Sequence, residues 1–419
     1  MVTGEAVEED VAARPRSRMS AAARRQQLAV AAAKQFHHLG FHRVTLAAVA
    51  ADVGVTAPAV YRHFRNKQTL LVGAIDSGLT LVEAAVTQPA DASWDDRLER
   101  LATAAADRRD LWALLQREMR HLPPADREPL ETRFTAVTTE LRRQLGTVRA
   151  DLPTADSRLL ITAVLAVFSS QSAYPARSPR SERRRVLRAA AAALSRIEWP
   201  PIPSPAAPVV DGARPGFGQS EPSVAAVGRN DAVPAARREE VLMTAIRLFH
   251  EHGYAAMSLD DIGAAIGMAG PSILYHFPAK ADLLIEAFSR ASASLSAARD
   301  ELSTVTLDDL VAIYVGLGVR ERLLFGVYVL EAVSLPEEAG QAIRRALDAD
   351  IDAWTEALVE ARPDLTDIEA TILVHAARAV VNDVVRIGHL HERPTIAAEL
   401  VTMVRTVLWT DLATTPAGA

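Results

Sequence analysis

Residues 33–71 read AKQFHHLGFHRVTLAAVAADVGVTAPAVYRHFRNKQTLL, and residues 246–284 read IRLFHEHGYAAMSLDDIGAAIGMAGPSILYHFPAKADLL. A shift of 213 positions aligns the two stretches without a gap. The residues that match across this shift include Phe36 with Phe249, Gly40 with Gly253, Pro58 with Pro271, and His63 with His276. Glycine, proline and aromatic positions that stay in register over this length indicate an internal duplication.

Each copy has the pattern of three helices followed by a longer one. Apolar residues at helical spacing predict a helix over 21–39, which ends at Gly40. Short helices over 46–52 and 57–64 follow, separated by a turn at Gly54, and a longer helix begins near Lys67. Two short helices joined by a glycine turn form the helix-turn-helix arrangement.

Hydroxyl residues stand where the N-caps of these short helices are expected. Thr45 and Ser258 are predicted to cap the first short helix of each copy, and Ser258 has capping-box spacing to Asp261. Thr56 is predicted to cap the second short helix in the first copy, and Ala269 replaces it in the second.

The rest of the chain predicts only further helices, so the fold class is all-α. Alternating strand patterns are not found. Amphipathic helical stretches cover 95–122, 126–145, 157–174 and 180–197 in the first half, and 307–330, 337–361, 366–390 and 395–409 in the second.

A proline-rich segment divides the two halves. Residues 199–234 hold eight of the 23 prolines and four glycines, which predicts an extended linker. The predicted order is a disordered arm (1–19), a first helix-turn-helix domain (20–75), a first helical regulatory domain (76–198), the linker (199–234), a second helix-turn-helix domain (235–290) and a second regulatory domain (291–412).

The composition excludes several classes of protein. The chain has no cysteine, which rules out disulfides and thiolate chemistry and fits a reducing interior. The acidic N-terminus does not resemble a signal peptide, and no run of about 18 uninterrupted apolar residues predicts a membrane span. We expect a cytoplasmic protein without a cofactor. The histidine pairs lack a third ligand at metal spacing, and no nucleophile–base pairing or phosphate loop indicates an enzyme.

The net charge of −6 hides an uneven distribution. Residues 20–75 carry a net charge of +6, whereas residues 235–290 carry −2. The first copy therefore has the basic footprint of a phosphate-binding domain. Arg14, Arg16 and Arg18 precede it and could form an arm that enters a DNA groove.

Residues 56–67 have the composition of a helix that lies in the major groove. Thr56, Ala57 and Ala59 give a small surface that lets the helix approach base edges. Tyr61 and Arg62 provide reach to phosphates and bases. At the equivalent positions the second copy has Leu274 and then Tyr275, so its reading surface differs.

This repeated block resembles the N-terminal DNA-binding domain of the TetR family of bacterial transcriptional regulators. The resemblance rests on Phe36, Gly40, Phe41, Thr45, Gly54, Val55, Tyr61, His63, Phe64 and Lys67. It implies that the chain binds double-stranded operator DNA and that its regulatory domains bind a small effector. Family members bind as dimers. One chain with two copies could act as an intramolecular pseudo-dimer, or two chains could form a homodimer.

The candidate site residues fall into two groups. Those predicted to bind DNA are Thr45, Thr56, Ala57, Ala59, Tyr61, Arg62, His63, Lys67, Ser258, Gly270, Ser272, Tyr275, His276 and Lys280. Those predicted to line a ligand pocket are Trp112, Gln116, Arg120, His375, Arg378 and Asn382. The residues of this second group, in either half, could instead form a polar seam at a dimer interface.

The favoured function is a transcriptional repressor that a small hydrophobic effector releases from its operator. The Ala, Leu and Val content of the regulatory helices suggests that the effector is hydrophobic. The alternative is a ligand-responsive adaptor, in which only the first helix-turn-helix binds DNA and the second half serves assembly. The acidic charge of the second copy is the main support for this alternative.

Overall fold

A computed structural model of the chain describes residues 20–172, 178–199, 229–302 and 304–413. These residues form helices and connecting turns, without a β-strand. The helices of the first half are α1 (Ala21–Leu39), α2 (Leu46–Asp52), α3 (Ala57–Tyr61), α4 (Lys67–Thr87), α5 (Trp94–Asp107), α6 (Asp110–Ala113), α7 (Pro124–Val148), α8 (Thr154–Ser169) and α9 (Arg180–Ser195). The helices of the second half are α10 (Arg229–His252), α11 (Leu259–Ala265), α12 (Gly270–Ile273), α13 (Lys280–Asp300), α14 (Leu307–Arg320), α15 (Arg322–Glu331), α16 (Glu337–Ala361), α17 (Asp367–Arg386) and α18 (Ile396–Leu408).

The duplication extends through the regulatory helices, where the sequences have diverged. α7 and α16 begin and end 213 positions apart, and α5 and α14 do the same. α8 and α17 begin 213 positions apart, and α9 and α18 end 213 positions apart. Positions within these helices therefore have structural counterparts 213 residues along the chain. In the sequence, residues match one by one only in the helix-turn-helix blocks, while the predicted regulatory helices correspond in number and position.

Local capping explains why several helices begin where they do. In α5, the Ser93 side chain accepts from the Asp96 amide while Asp96 accepts from the Ser93 amide, a complete capping box. Thr306 with Asp309 repeats this arrangement at the start of α14. Both devices lie in consecutive residues, so they act before any tertiary contact forms.

Two predicted helices are interrupted, which corrects the sequence analysis. The stretch predicted over 95–122 breaks after Asp107 and continues as α6, a π-helical segment (Leu114–Glu118) and a 3-10 turn (Met119–His121). The break coincides with a buried ion pair, in which Arg108 Nη2 lies 2.7 Å from Asp110 Oδ2. The stretch predicted over 307–330 is divided at Glu321 into α14 and α15. The third helix of the first block ends at Tyr61 rather than at Phe64.

The two halves of the chain pack against each other through their C-terminal helices. α17 lies against both α8 and α9, and α18 lies against α9. A single core of buried apolar residues runs across these four helices. Polar contacts also cross the boundary: Ser169 Oγ donates to Asp383 Oδ2 at 3.0 Å, and Arg393 Nη2 donates to Asp156 Oδ1 at 2.6 Å.

The predicted linker and N-terminal arm fall largely outside the described residues. The arm (1–19, with Arg14, Arg16 and Arg18) and residues 200–228 belong to this part. α10 begins at Arg229, which lies inside the segment that was predicted as linker up to Pro234. Pro234 therefore lies within the second turn of α10 and does not mark a boundary of the helix.

Among the described helices, α4 is long and apolar enough to cross a bilayer by length and composition. Most of its apolar stretch, 61%, is buried inside the protein. The apolar character of α4 is therefore that of a core helix, which packs against α1, α5 and α7.

Candidate nucleic-acid interface and adjoining cavity

The first helix-turn-helix presents its predicted reading residues to solvent. Val60 and Phe64 are buried and hold α3 against the domain, whereas Tyr61 is 56% exposed and Arg62 is exposed. The turn before α3 passes through Gly54 with φ +68°, a left-handed conformation that favours glycine. The geometry thus places an aromatic hydroxyl and a guanidinium on the outer side of a short helix.

Arg25 fixes the end of this helix from within the domain. Its guanidinium donates to the His63 carbonyl and lies 4.3 Å from the centre of the Phe64 ring. Arg25 is one of the basic residues counted in the first copy, and its guanidinium group stabilises the end of α3 from within the domain. His63, which Arg25 holds through its backbone, is half-buried.

The predicted helix caps are realised at Thr45 and Ser258 but not at Thr56. The Thr45 side chain accepts from the Ala48 amide at 3.1 Å, and Ser258 forms a full capping box with Asp261. Thr56 makes no side-chain cap because Pro58 has no amide hydrogen and the Ala59 amide bonds to the Thr56 carbonyl. The exposed Thr56 hydroxyl therefore has no role in capping α3.

The two lysines that were predicted to face phosphates bind their own domains. Lys67 Nζ donates to the carbonyls of His42 and Val44, both at 3.1 Å. Lys280 Nζ does the same to Tyr254 at 3.0 Å and Met257 at 2.8 Å. Burial lowers the pKa of both ammonium groups. This arrangement corrects the assignment of both lysines, because they tie the start of α4 or α13 to the turn after α1 or α10.

The second helix-turn-helix keeps the scaffold but carries acidic groups near its reading helix. Asp260 and Asp261 occupy the positions that Ala47 and Ala48 have in the first copy. Gly270 is buried, and a β-carbon there would lie 1.9 Å from Asp260 Oδ1. Gly270 therefore accommodates the aspartate and is too enclosed to contact DNA, which corrects its assignment.

The remaining predicted residues of the second copy are accessible. Tyr275 is 83% exposed, and Ser272 and Ser258 are exposed as well. His276 is half-buried, and its ring meets that of Tyr275 edge to face. The exposed surface of the second copy thus carries hydroxyl groups but lacks the counterpart of Arg62, because Tyr275 stands at that position.

A short π-helical segment of the first regulatory domain (residues 114–118) is hydrogen-bonded to the first helix-turn-helix. Arg117 Nη2 donates to the carbonyls of Phe36 and His37, at 3.0 and 2.8 Å. The buried Glu118 carboxylate accepts from the Phe41 amide at 2.8 Å. Residues 117–118 therefore bind the backbone at the C-terminal end of α1 and in the turn that follows it.

The same kind of contact holds the second helix-turn-helix and also links the halves. Glu331, the counterpart of Glu118, accepts from the Tyr254 amide at 3.1 Å. Arg120 of the first half forms an ion pair with this buried carboxylate. Arg43 Nη2 donates to the Val333 carbonyl at 2.9 Å. The segment after Gln116 thus contacts both DNA-binding units.

A cavity of about 840 Å³ lies next to this segment. Its walls come from α6 to α8 of the first half and from the end of α17 with the residues that follow. The lining residues are Trp112, Leu115, Gln116, Met119, Phe134, Thr135, Thr138, Arg142, Thr154, Ala155, Arg158, Ile161, Thr162, Leu165, Asp383, Arg386, Ile387, Gly388, His389, Leu390 and Arg393. The volume is in the range of sites that bind small organic molecules.

Two of the six predicted pocket residues line this cavity, Trp112 and Gln116. Arg120 is engaged with Glu331. Arg378 and Asn382 face the interior of the second half, where Arg378 pairs with Asp350 and Asn382 accepts from the Tyr314 hydroxyl at 2.8 Å. In this structure the two residues form neither a wall of this cavity nor a seam on the surface, because their side chains bind groups within the second half.

His375 also stands outside the cavity lining. Burial lowers the pKa of its imidazole to about 3. Its counterpart in the first half, Thr162, does line the cavity. His375 thus lies on the same face of its helix as the lining residue Thr162 does on α8, but it does not line this cavity.

The sequence analysis missed most of the polar lining. Arg158, Ile161, Thr162 and Leu165 recur at helical spacing on α8 and form one wall. This spacing was a usable signal. Asp383 was not predictable as a lining residue, because it reaches the cavity from the other half of the chain.

Comparison with known proteins identifies both helix-turn-helix units. Residues 28–74 and 241–287 each match the family described as "Bacterial regulatory proteins, tetR family". No curated protein matches the chain.

The chain is also similar to solved structures, each of which aligns with less than half of it. A TetR-family transcriptional regulator from Bordetella parapertussis 12822 is 19% identical, with 43% of this chain and 98% of that chain covered and a TM-score of 0.39. The ketosteroid transcriptional regulator KstR2 of Mycobacterium tuberculosis is 21% identical, with coverages of 41% and 93% and a TM-score of 0.36. The fatty acid degradation regulator FadR from Bacillus halodurans is 18% identical, with coverages of 41% and 95% and a TM-score of 0.34.

Proposed function

Because this chain is a TetR-type regulator with two DNA-binding domains in tandem, we propose that it is a repressor. It binds its operator as a single chain, and a small hydrophobic effector releases it from the DNA. It acts in the cytoplasm, without a catalytic role and without membrane attachment. Its two helix-turn-helix units take the place of the two subunits of a dimer.

The observation that carries this proposal is the position of the cavity beside the π-helical segment. Gln116 lines the cavity and donates to Asp383 Oδ2 at 2.8 Å. The next two residues, Arg117 and Glu118, hold the backbone of the first DNA-binding domain. A molecule that contacts Gln116 therefore acts one residue away from the attachment of α1.

Linkage gives this proximity a thermodynamic meaning. An effector that binds better to the conformation that does not fit DNA must lower operator affinity by the same factor. The Arg120–Glu331 ion pair extends the effect to the second DNA-binding domain. One occupied cavity can thus change the placement of both reading helices.

The packing of α8 and α9 on α17 and α18 supports the single-chain arrangement. These helices bury a continuous apolar core between the halves, so the surface that would pair two separate subunits is satisfied within one chain. Family members recognise half-sites about 34–36 Å apart, one turn of DNA. We expect the operator of this protein to be asymmetric, since the two reading surfaces differ.

The test is a gel shift with promoter fragments, beginning with the region upstream of the protein's own gene. Arg62→Ala should weaken binding to the shifted fragment by about 5- to 150-fold, as for loss of a base contact worth about 1–3 kcal/mol. Tyr275→Ala should cost less. Equal losses from the two variants would contradict the proposed inequality of the two units.

A second candidate function is an adaptor in which the second half serves assembly. Asp260 and Asp261 favour it, because carboxylates at the start of α11 repel phosphates that pass there. DNA footprinting of the full chain separates the two functions. Protection of two half-sites that Tyr275→Ala reduces to one supports the tandem reader, whereas protection of one half-site in the unaltered chain supports the adaptor.

A further inference from the structure

We propose that each chain has one effector site, in the first half, which binds an apolar molecule with an anionic group, and that the second half has lost the equivalent site to a buried ion pair. This inference rests on the proposed effector role of the cavity. It adds the chemical class of the ligand and the stoichiometry of one per chain.

The asymmetry follows from comparing positions 213 residues apart. Leu165 and Leu115 line the cavity of the first half, and their counterparts are Arg378 and Tyr328. Both counterparts are almost fully buried. Longer side chains thus occupy the space in the second half that stays open in the first.

A closed set of contacts keeps Arg378 in place. Its guanidinium pairs with Asp350 and lies 4.4 Å from the centre of the Tyr314 ring. Asp350 also accepts from Arg299 Nη1 at 2.8 Å. The first-half counterpart of Asp350 is the apolar Val137, so the ion pair exists only in the second half. A charged pair with these partners cannot be displaced by an apolar ligand without leaving a buried charge unpaired.

The arginines that the first half contributes to the lining have no charged counterparts in the second half. Arg142 and Arg158 line the cavity, and their counterparts are Thr355 and Thr371. Within the described part of the chain, Arg142 bonds to the Thr139 hydroxyl, and neither arginine has an acidic partner. Arg158 is exposed, which places it at the opening of the cavity.

Two further donors on the lining lack acceptors. The indole Nε1 of Trp112 and the Nε of Arg386 are buried and have no hydrogen-bond partner among the residues that the structure describes. Arg386 pairs with Asp383 only through Nη2, at 2.9 Å. An oxyanion would supply the acceptors that these groups lack and would balance the unpaired arginines.

Beside these polar and charged groups, the wall has an apolar part. Leu115, Met119, Phe134, Ile161 and Leu165 form a surface suited to a hydrocarbon body. A ligand with a hydrocarbon part and one anionic group therefore matches both features of the cavity. A neutral hydrocarbon alcohol matches only the wall.

The experiment is calorimetric titration of the full chain with decanoate and, separately, with decan-1-ol, both below their aggregation limits and without DNA. We expect decanoate to bind at one site per chain and at least tenfold more tightly than decan-1-ol. Arg158→Gln with Arg386→Gln should bring decanoate to the level of the alcohol. Arg345→Gln, an exposed arginine on α16, is the matched control and should change nothing.

A second variant copies the ion pair into the first half. Val137→Asp with Leu165→Arg should abolish decanoate binding, and circular dichroism should show whether the helices are retained. If this variant does not fold, the arginine variants still decide the matter. Two sites per chain, equal affinity for the alcohol, or no saturable binding of decanoate to the unaltered chain would each overturn the inference.

The proposed function fails by a different result. If decanoate binds once per chain with the expected arginine dependence but leaves the operator complex intact in a gel shift, the site stands and release by this ligand is refuted. If decanoate releases the operator but binds at two sites, the repressor mechanism stands and the single-site inference is wrong.

Discussion

Replacing Arg120 with methionine should destabilise the contact between the two regulatory domains at Glu331, the residue that also holds the second DNA-binding domain, by about 2–3 kcal/mol. Removing one partner of a buried ion pair costs about 3–5 kcal/mol. The Glu331 side chain is 1% exposed, so it qualifies as buried, whereas the Arg120 side chain is 18% exposed. Glu331 keeps the Tyr254 amide at 3.1 Å and the Ser334 hydroxyl at 3.0 Å, and these two bonds reduce the loss.

The assay is a double-mutant cycle with Arg120→Met, Glu331→Gln and their combination, measured by urea unfolding. Residues in contact within one network show coupling free energies of about 0.5–3 kcal/mol, and we expect at least about 1 kcal/mol here. The exposed pair Arg143–Glu140 on α7 serves as the control, with an expected coupling below about 0.5 kcal/mol. Hydrogen exchange at the Tyr254 amide should accelerate in Arg120→Met.

The reasoning is refuted if the Arg120–Glu331 cycle gives no more coupling than the control cycle. It is also refuted if the destabilisation occurs without faster exchange at Tyr254, since that amide donates to the carboxylate that loses its partner.

Two other predictions concern side chains that the structure places inside their domains. Lys67→Met should lower the free energy of unfolding by about 2–3 kcal/mol, because two charged hydrogen bonds are lost. The salt dependence of DNA binding should stay unchanged in this variant. Arg62→Ala should instead reduce the slope of DNA affinity against salt concentration by about 1, without that loss of stability. Burial lowers the pKa of His121 to about 3, so the unfolded chain binds more protons than the folded chain below about pH 6.5. The free energy of unfolding should therefore fall by about 2 kcal/mol for this residue as the pH drops from 7 to 5. His121→Phe preserves the stacking on Phe41, and urea unfolding of this variant should show a smaller fall. An identical fall in the variant would exclude His121 as the cause.

The helix-turn-helix units were predictable because their signals are local. Gly40, Gly54 and their counterparts adopt positive φ, and the Thr45 and Ser258 caps lie within three residues of the amides they bind. The TetR-type assignment of the two helix-turn-helix blocks and the all-α fold of the described residues are confirmed. Thr56 failed as a cap for an equally local reason that was overlooked, the missing amide of Pro58.

The sequence by itself therefore determined the helices, the duplication and the charge difference between the two copies, since each depends on residues that are close in the chain or on simple counts. Only the tertiary structure decided which charged groups are free. Lys67 and Lys280 look identical to DNA-binding lysines until their carbonyl partners are seen. The cavity is also a tertiary property, because its walls come from both halves of the chain. We infer that its volume depends on the side chain at one position of the repeat, which is Leu165 in the first half and Arg378 in the second. A single substitution changes the packing of side chains without changing the helical periodicity. The sequence pattern is therefore the same for a domain with a cavity and for one in which side chains fill that space.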